Sequence, residues 1–256
     1  MTPDTFIIIQ ARTGSTRLPD KTILPFFQGK SIFSLMAGNL AEEFGKSRLV
    51  LATTSSPADD RLVELAQAEG INVFRGSEAD VLGRFIAAAK QFGAKNIVRI
   101  CSDNPFLFPC YVRQLVDEFE KEPCDYLSFR DDQAVPVIRT HWGLFAEITT
   151  LDALGRADAQ TQDPFFHEHV TNFLYGNPRM FKLRFLEMPA LFHGRSGYRF
   201  TLDTAEDFEL LRILYLNLFQ QHHTRNFTPE QVFEYLDHKG AGVLAAMKLQ
   251  IEKNAK

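Results

Sequence analysis

Between Gln10 and Lys21 the chain runs Gln-Ala-Arg-Thr-Gly-Ser-Thr-Arg-Leu-Pro-Asp-Lys. Gly14, Ser15 and Thr16 are small enough to let backbone approach a ligand, and they offer amide and hydroxyl donors. Arg12 and Arg17 add planar guanidinium forks and Lys21 a compact ammonium, the two cation geometries that grip phosphate oxygens. Three cations less Asp20 leave the segment locally positive, so it has the makings of a polyphosphate cradle. It is neither a P-loop nor a Rossmann fingerprint, because it lacks GxxxxGK[ST] and carries a single glycine. Two aspartates complete the picture. Asp103 sits in Ser102-Asp103-Asn104-Pro105 and Asp203 follows Tyr198–Leu202. Each invites an ordinary reading as a turn or cap residue. Thr204, with Asp207 three residues on, already supplies a helix cap, which leaves Asp203 available for other work. Hard carboxylate oxygens opposite a basic loop suit a divalent cation bound with a triphosphate. His167-Glu168-His169 lacks the further ligands that a zinc site needs. The adjacent acids Asp59-Asp60 and Asp131-Asp132 read as solvated loop or helix-start residues rather than a DxD pair.

These residues must be carried by something rigid, and the first half of the chain alternates strand with helix. Thr5–Ala11 is an unbroken apolar run, the pattern of a strand covered on both faces of a parallel sheet. Arg48–Thr53, Ile71–Phe74, Asn96–Cys101 and Asp125–Phe129 read as further strands. Helices begin at the Ser31 cap, at Ser56-Pro57, at Ser77 with Asp80, and at Pro109; Gly70 and Gly93 end two of them. After about residue 130 the rhythm loosens. Leu144–Ala157 and Pro164–Tyr175 read as helices, Met180–Glu187 and Tyr198–Leu202 as extended segments. Ala205–Phe219, Pro229–Leu236 and Ala241–Ile251 read as closing helices, with a frayed tail from Glu252 to Lys256. The expectation is an α/β fold: a mostly parallel sheet flanked by helices, one domain over 1–256, with 133–195 as a candidate projecting or dimerisation segment and C-terminal helices over 221–256. Ligands of such sheets bind at the carboxyl ends of the strands, where both the cradle and the aspartates fall.

Composition narrows the partners. The 256 residues carry 28 Lys+Arg against 32 Asp+Glu, a formal charge of −4. That balance excludes a broadly basic nucleic-acid binder. No apolar stretch reaches the roughly 20 residues of a membrane helix, and no signal-peptide pattern opens the chain. Cys101, Cys110 and Cys124 form no CxxC or paired framework, which with the rest points to reduced thiols and a cytoplasmic setting. The 24 Phe against a single Trp point to a phenylalanine-rich core or oligomer interface.

The segment Ala-Arg-Thr-Gly-Ser-Thr-Arg-Leu-Pro-Asp-Lys resembles the signature of cytidylyltransferases that activate sugar acids, the CMP-sialate and CMP-Kdo synthetases, and is most similar to the spore-coat polysaccharide biosynthesis protein F group. Phe74-Arg75-Gly76-Ser77 with Asp80-Val81-Leu82, Val98-Arg99-Ile100 with Asp103-Asn104-Pro105, Glu168-His169-Val170-Thr171 and Arg199–Asp207 follow in the family's order. The resemblance implies a nucleotide-diphospho-sugar-transferase-like (Rossmann-like) fold, a homodimer, and Mg²⁺-dependent transfer of CMP from CTP to a small sugar acid with release of pyrophosphate, in surface polysaccharide or glycan biosynthesis. By position it implies that Arg12, Arg17 and Lys21 hold the triphosphate. Ala11, Gly14, Ser15, Thr16 and the Ala52-Thr53-Thr54 turn would line the nucleotide pocket, Asp103 and Asp203 would bind metal, and Glu168 and His169 would lie near the acceptor or the dimer seam. No side chain presents itself as a general base. A nucleotidyltransferase acting on a sugar phosphate and a catalytically silent nucleotide-binding or scaffold protein remain as alternatives.

Overall fold

A computed structural model describes residues 1–254. Its central strand is β1 (Thr5–Gln10), flanked in parallel by β4 (Leu49–Thr54) and β6 (Asn96–Cys101). The sheet has seven strands in the order β5-β4-β1-β6-β8-β7-β9, completed by β5 (Asn72–Gly76), β7 (Tyr126–Arg130), β8 (Glu147–Thr150) and β9 (Leu183–Glu187). The outer hairpin β2 (Pro25–Phe27) and β3 (Lys30–Ser31) stands apart from it. Alternation along β1 divides the core, because successive side chains of a strand point to opposite faces. Ile7 and Ile9 pack on one side, Ile8 on the other, all fully buried.

The first face is covered by α1 (Ile32–Phe44), α2 (Asp60–Glu69), α4 (Pro109–Lys121), α8 (Ala205–His222), α9 (Pro229–His238) and α10 (Ala241–Lys253). The second is covered by α3 (Val81–Phe92), α5 (Leu151–Gln160) and α7 (Asn172–Gly176), with the short α6 (Pro164–Glu168) beside α3. Most of the phenylalanines are core residues: Phe129, Phe145, Phe192 and Phe233 meet Tyr111 and Trp142 in one aromatic network under the first set of helices. Helix starts follow the sequence signals. Ser31 Oγ accepts the Ser34 amide at 3.1 Å, Asp80 accepts that of Gly83 at 2.8 Å, and Thr204 and Asp207 form a reciprocal capping box.

The second half departs from the pattern read from sequence in four places. Leu144–Ala157 is not one helix: Glu147–Thr150 is strand β8, antiparallel to both β6 and β7, and α5 begins only at Leu151, where Thr150 caps it. Pro164–Tyr175 is broken at His169–Thr171 into α6 and α7, with Val170 at φ 36°. Tyr198–Leu202 joins no strand of the sheet; Phe200 N donates to the His141 carbonyl and Leu202 N to the Asp103 carbonyl, both at 3.0 Å. At the C-terminus, helix α10 continues through Lys253, so the tail is helical where fraying was expected; Ala255 and Lys256 lie outside the described residues. The 133–195 segment supplies β8 and β9 to the sheet and Val170, Phe173, Leu174 and Phe181 to the second core, so most of it is woven into the body. Among the described residues no helix is long and apolar enough to cross a membrane.

Candidate active site

The carboxyl ends of β1 and β6 open into a cleft of about 320 Å³. The loop after β1 forms one wall, contributing Ala11, Arg12, Ser15, Thr16, Arg17 and Lys21; Asp103 and Asp203 face it. The loop is closed on itself by amides of Ser15 and Asp20, which donate to the Thr13 carbonyl at 2.8 and 3.0 Å. Thr13 in turn is pinned from below by Asp59, which accepts its amide at 2.8 Å and its hydroxyl at 2.7 Å. The same carboxylate accepts the hydroxyls of Thr53 and Thr54 at 2.9 and 2.5 Å and the Thr54 amide at 3.2 Å. Burial by itself would raise the Asp59 pKa, but these donors outweigh it and hold the carboxyl below its ordinary value.

Each strand-end aspartate meets a cation of the loop. Lys21 Nζ donates to Asp103 Oδ2 at 3.0 Å and to the Leu202 carbonyl at 2.7 Å. Arg17 reaches Asp203 Oδ1 at 2.7 Å. The other oxygen of Asp203 is held at 2.8 Å by Arg199, a fully buried guanidinium that also grips Asp207 through two bonds of 2.9 Å. Burial opposes the charge on Arg199, yet its bonds to Asp207 and Asp203 leave its pKa raised. Arg12 stands further out, 3.6 Å from Glu78 with both side chains exposed.

A second, larger cavity of about 390 Å³ adjoins the cleft, and Cys101, Asp103 and Asp203 border both. Its floor comes from the period-2 alternation of β6, which sends Arg99 and Cys101 to the face opposite Val98 and Ile100. Glu147 lies directly across from Arg99 on antiparallel β8, and their charges meet at 2.5 Å. Tyr126 and Thr171 donate to the other Glu147 oxygen at 2.5 and 3.0 Å. Burial disfavours the Arg99 cation, but the charge and hydrogen bond of Glu147 more than compensate and leave its pKa raised. Burial pushes the Cys101 thiol up to about 11, so it is a neutral wall near pH 7.

The divalent cation implied by the resemblance finds a fitting donor set in Asp103 and Asp203, two hard carboxylates on the same cleft. Among the described residues no three His, Cys, Asp or Glu side chains cluster as a complete ligand set. Such an ion would therefore take its remaining ligands from phosphate oxygens and water.

The family model for cytidylyltransferases matches residues 6–235. The chain belongs to the cytidylyltransferase family. Among the relatives of this cytidylyltransferase are an uncharacterised protein of Methanocaldococcus jannaschii, 37% identical over 90% of the chain and 89% of that protein, and the spore coat polysaccharide biosynthesis protein SpsF of Bacillus subtilis, 31% identical over 83% and 86%. A solved cytidylyltransferase from Leptospira borgpetersenii superposes with a TM-score of 0.81 at 30% identity, covering 94% of this chain and 96% of that one. A CMP:2-keto-3-deoxy-manno-octonic acid synthetase complexed with CTP shares the fold, with a TM-score of 0.64 at 18% identity over 84% and 99%.

Within this cytidylyltransferase, Ala11, Arg12, Ser15, Thr16, Arg17, Lys21, Asp103 and Asp203 come together on one cleft, as their spacing suggested. Gly14 is exposed beside Glu78 at the loop's outer edge. Ala52, Thr53 and Thr54 are buried and border neither cavity; the two threonine hydroxyls are spent on Asp59. Glu168 and His169, though adjacent, divide between the sites, Glu168 on the cleft and His169 on the larger cavity. From sequence, Arg99 carries no role beyond its place in a matched stretch, and Glu147 carries none. The Asp59-Asp60 pair reads as solvated loop or helix-start acids; both do stand at the start of α2, but only Asp60 is exposed, Asp59 being 2% exposed. The available signal was Thr53 and Thr54 at the end of a buried strand, hydroxyl donors that need an acceptor once covered.

Proposed function

We propose that the protein transfers a cytidylyl group from CTP to a sugar acid and releases pyrophosphate, as a step in surface polysaccharide or glycan synthesis. The observation that supports this best is the common wall of Cys101, Asp103 and Asp203 between the cation-lined cleft and the larger cavity. A triphosphate in the first would present its α-phosphorus to a hydroxyl in the second. The hydroxyl oxygen bonds to the α-phosphorus, the bond to the α–β bridging oxygen breaks, and pyrophosphate leaves with that electron pair while the hydroxyl proton passes to solvent. Positioning and charge stabilisation carry such a transfer. Arg12, Arg17 and Lys21 stabilise the charge that gathers on the departing pyrophosphate. Asp103 and Asp203 would hold Mg²⁺, which when bound neutralises phosphate charge and acidifies a nearby hydroxyl.

A sugar acid suits the larger cavity better than a sugar phosphate does. Arg99, the cation of its lining, is engaged by Glu147, and Asp103 and Asp203 are held by Lys21, Arg17 and Arg199, so a dianionic phosphate would find less counter-charge there than it needs, whereas a monoanionic acid demands less. The polysaccharide role of SpsF and the sugar-acid acceptor in the name of the synthetase neighbour agree with this choice. Pyrophosphate release measured with each of four nucleoside triphosphates against a panel of sugar acids and sugar phosphates tests it. Turnover with CTP and a sugar acid is expected. Turnover with a sugar phosphate alone would replace the acceptor class, and nucleotide binding without any turnover would favour a silent scaffold. The same reading carries a homodimer in a cytoplasmic setting; light scattering checks the former.

A further inference from the structure

We propose that Asp59 is a positioning residue that anchors the cradle loop and thereby sets the affinity for nucleotide. The inference rests on the transferase reading above and extends it to a residue that touches neither cavity. Five hydrogen bonds converge on this one buried carboxylate: two on Oδ1, both from Thr13 of the loop, and three on Oδ2, all from Thr53 and Thr54 at the end of β4. Two of the five come from backbone amides, one on each side. A carboxylate is the side chain that can accept both at once through separate oxygens. Asparagine would turn an N–H toward either the Thr13 or the Thr54 amide, leaving a buried donor facing a donor. Through Thr13 the anchor extends further, because the Thr13 carbonyl holds the Ser15 and Asp20 amides that shape the loop between Arg12 and Lys21.

The anchor also explains an otherwise awkward charge. A buried anion beneath a polyanion site works against binding unless it returns more in order than it costs in repulsion. Hydrogen bonds from every side keep Asp59 ionised, and a loop held in one shape loses less entropy when the triphosphate arrives. The ligand then meets Arg12, Ser15, Thr16 and Arg17 already in place.

The test compares Asp59→Asn with wild type and with Asp60→Asn, whose exposed carboxylate pairs with Arg75. The KM for CTP should rise at least ~10-fold in Asp59→Asn, on the scale of lost preorganisation, with the acceptor KM moving less than ~2-fold. In the ligand-free protein, hydrogen exchange of the Thr13, Ser15 and Asp20 amides should accelerate while the β1 and β6 amides stay protected. Asp60→Asn should change neither. An unchanged CTP KM overturns the proposal, as does a parallel rise in both KM values with faster exchange throughout the sheet, which marks a purely structural role. If wild type turns over no nucleotide, the transferase reading fails, and exchange over 12–20 still decides whether Asp59 holds the loop. Should Asp59→Asn fail to fold, Thr13→Val removes one donor from the loop side alone; a smaller rise in the CTP KM is expected, and none overturns the proposal.

Discussion

Replacing Asp207 by alanine leaves Arg199 as a buried cation without its main counter-charge. Both side chains are 1% exposed, and two bonds of 2.9 Å join them. Asp207 also accepts the amides of Asp203 and Thr204 at 2.9 and 3.1 Å, so its loss removes the reciprocal half of the α8 capping box as well, while Thr204 still caps the helix. Breaking a buried pair from one side costs about 3–5 kcal/mol, because the orphaned charge keeps its desolvation penalty. For a chain of this size, at about 2–4 °C per kcal/mol, Asp207→Ala should lower the melting temperature by about 6–20 °C. Thermal and urea denaturation followed by circular dichroism measure it. The double variant Arg199→Met with Asp207→Ala removes the stranded cation and should recover part of that loss. It should not recover pyrophosphate release, since Asp203 then lacks the guanidinium that orients Oδ2. A melting shift below ~3 °C in Asp207→Ala, or full activity in the double variant, would refute the reasoning, whose scale is that of a buried ion pair.

Three further outcomes are expected. Arg17→Ala should lower kcat for pyrophosphate release by ~100-fold or more, the scale for losing a charge-stabilising donor; near-wild-type turnover would remove Arg17 from the site. His167 lies between two acceptors, Asp80 Oδ1 at 2.8 Å and the Thr161 carbonyl at 3.0 Å, an arrangement that the doubly protonated ring satisfies at both nitrogens and the neutral ring at one. Its bonds to Asp80 and Thr161 raise its pKa against a smaller opposing effect of burial. The stabilisation is therefore complete below the unfolded value of about 6.5 and fades as pH climbs through the raised folded value; urea midpoints of wild type and His167→Gln should differ at pH 5.5 and converge at pH 9. Gly143 adopts φ 58°, and an added Cβ would sit 2.9 Å from the backbone of Phe200 and Thr201, so Gly143→Ala should cost more than ~1 kcal/mol in chemical denaturation.

The parallel half of the molecule was legible because its signals are local. Ile7-Ile8-Ile9 is apolar on both faces, Ser31 and Asp80 cap helices within three residues, and Gly93 stops α3 where the pattern ends. The cradle loop and Asp103 were legible for a related reason: in a sheet of this kind, the residue after a strand is at the site; Asp203 reaches the cleft by another route, at the end of an extended segment that joins no strand. What escaped depends on contacts between distant segments. Glu147 falls inside the helix read over Leu144–Ala157, and its strand pairing and ion pair are with Arg99, 48 residues away. The β-branched run Ile148-Thr149-Thr150 was the local sign of a strand, overridden by the true helix that starts at Leu151. Tyr198–Leu202 alternates like a strand because Phe200 and Leu202 are core residues, yet its amides go to His141 and Asp103 rather than to the sheet. Asp59 escaped because adjacency to exposed Asp60 suggested a shared role.

The antiparallel entry of β8 between β6 and β7 has a consequence for how this protein can change over time. On one side of β6 lie β1, β4 and β5, with the cation loop and its anchor; on the other lie β7, β9 and β8, the last bordering the larger cavity together with the α6–α7 turn. Within the sheet the two sides meet at β6 alone. Substitutions at Glu147, His169 or Asn172 can therefore retune the larger cavity without crossing the strands that hold the phosphate loop. A sheet partitioned in this way lets one half drift toward new molecules while the other stays committed to its own.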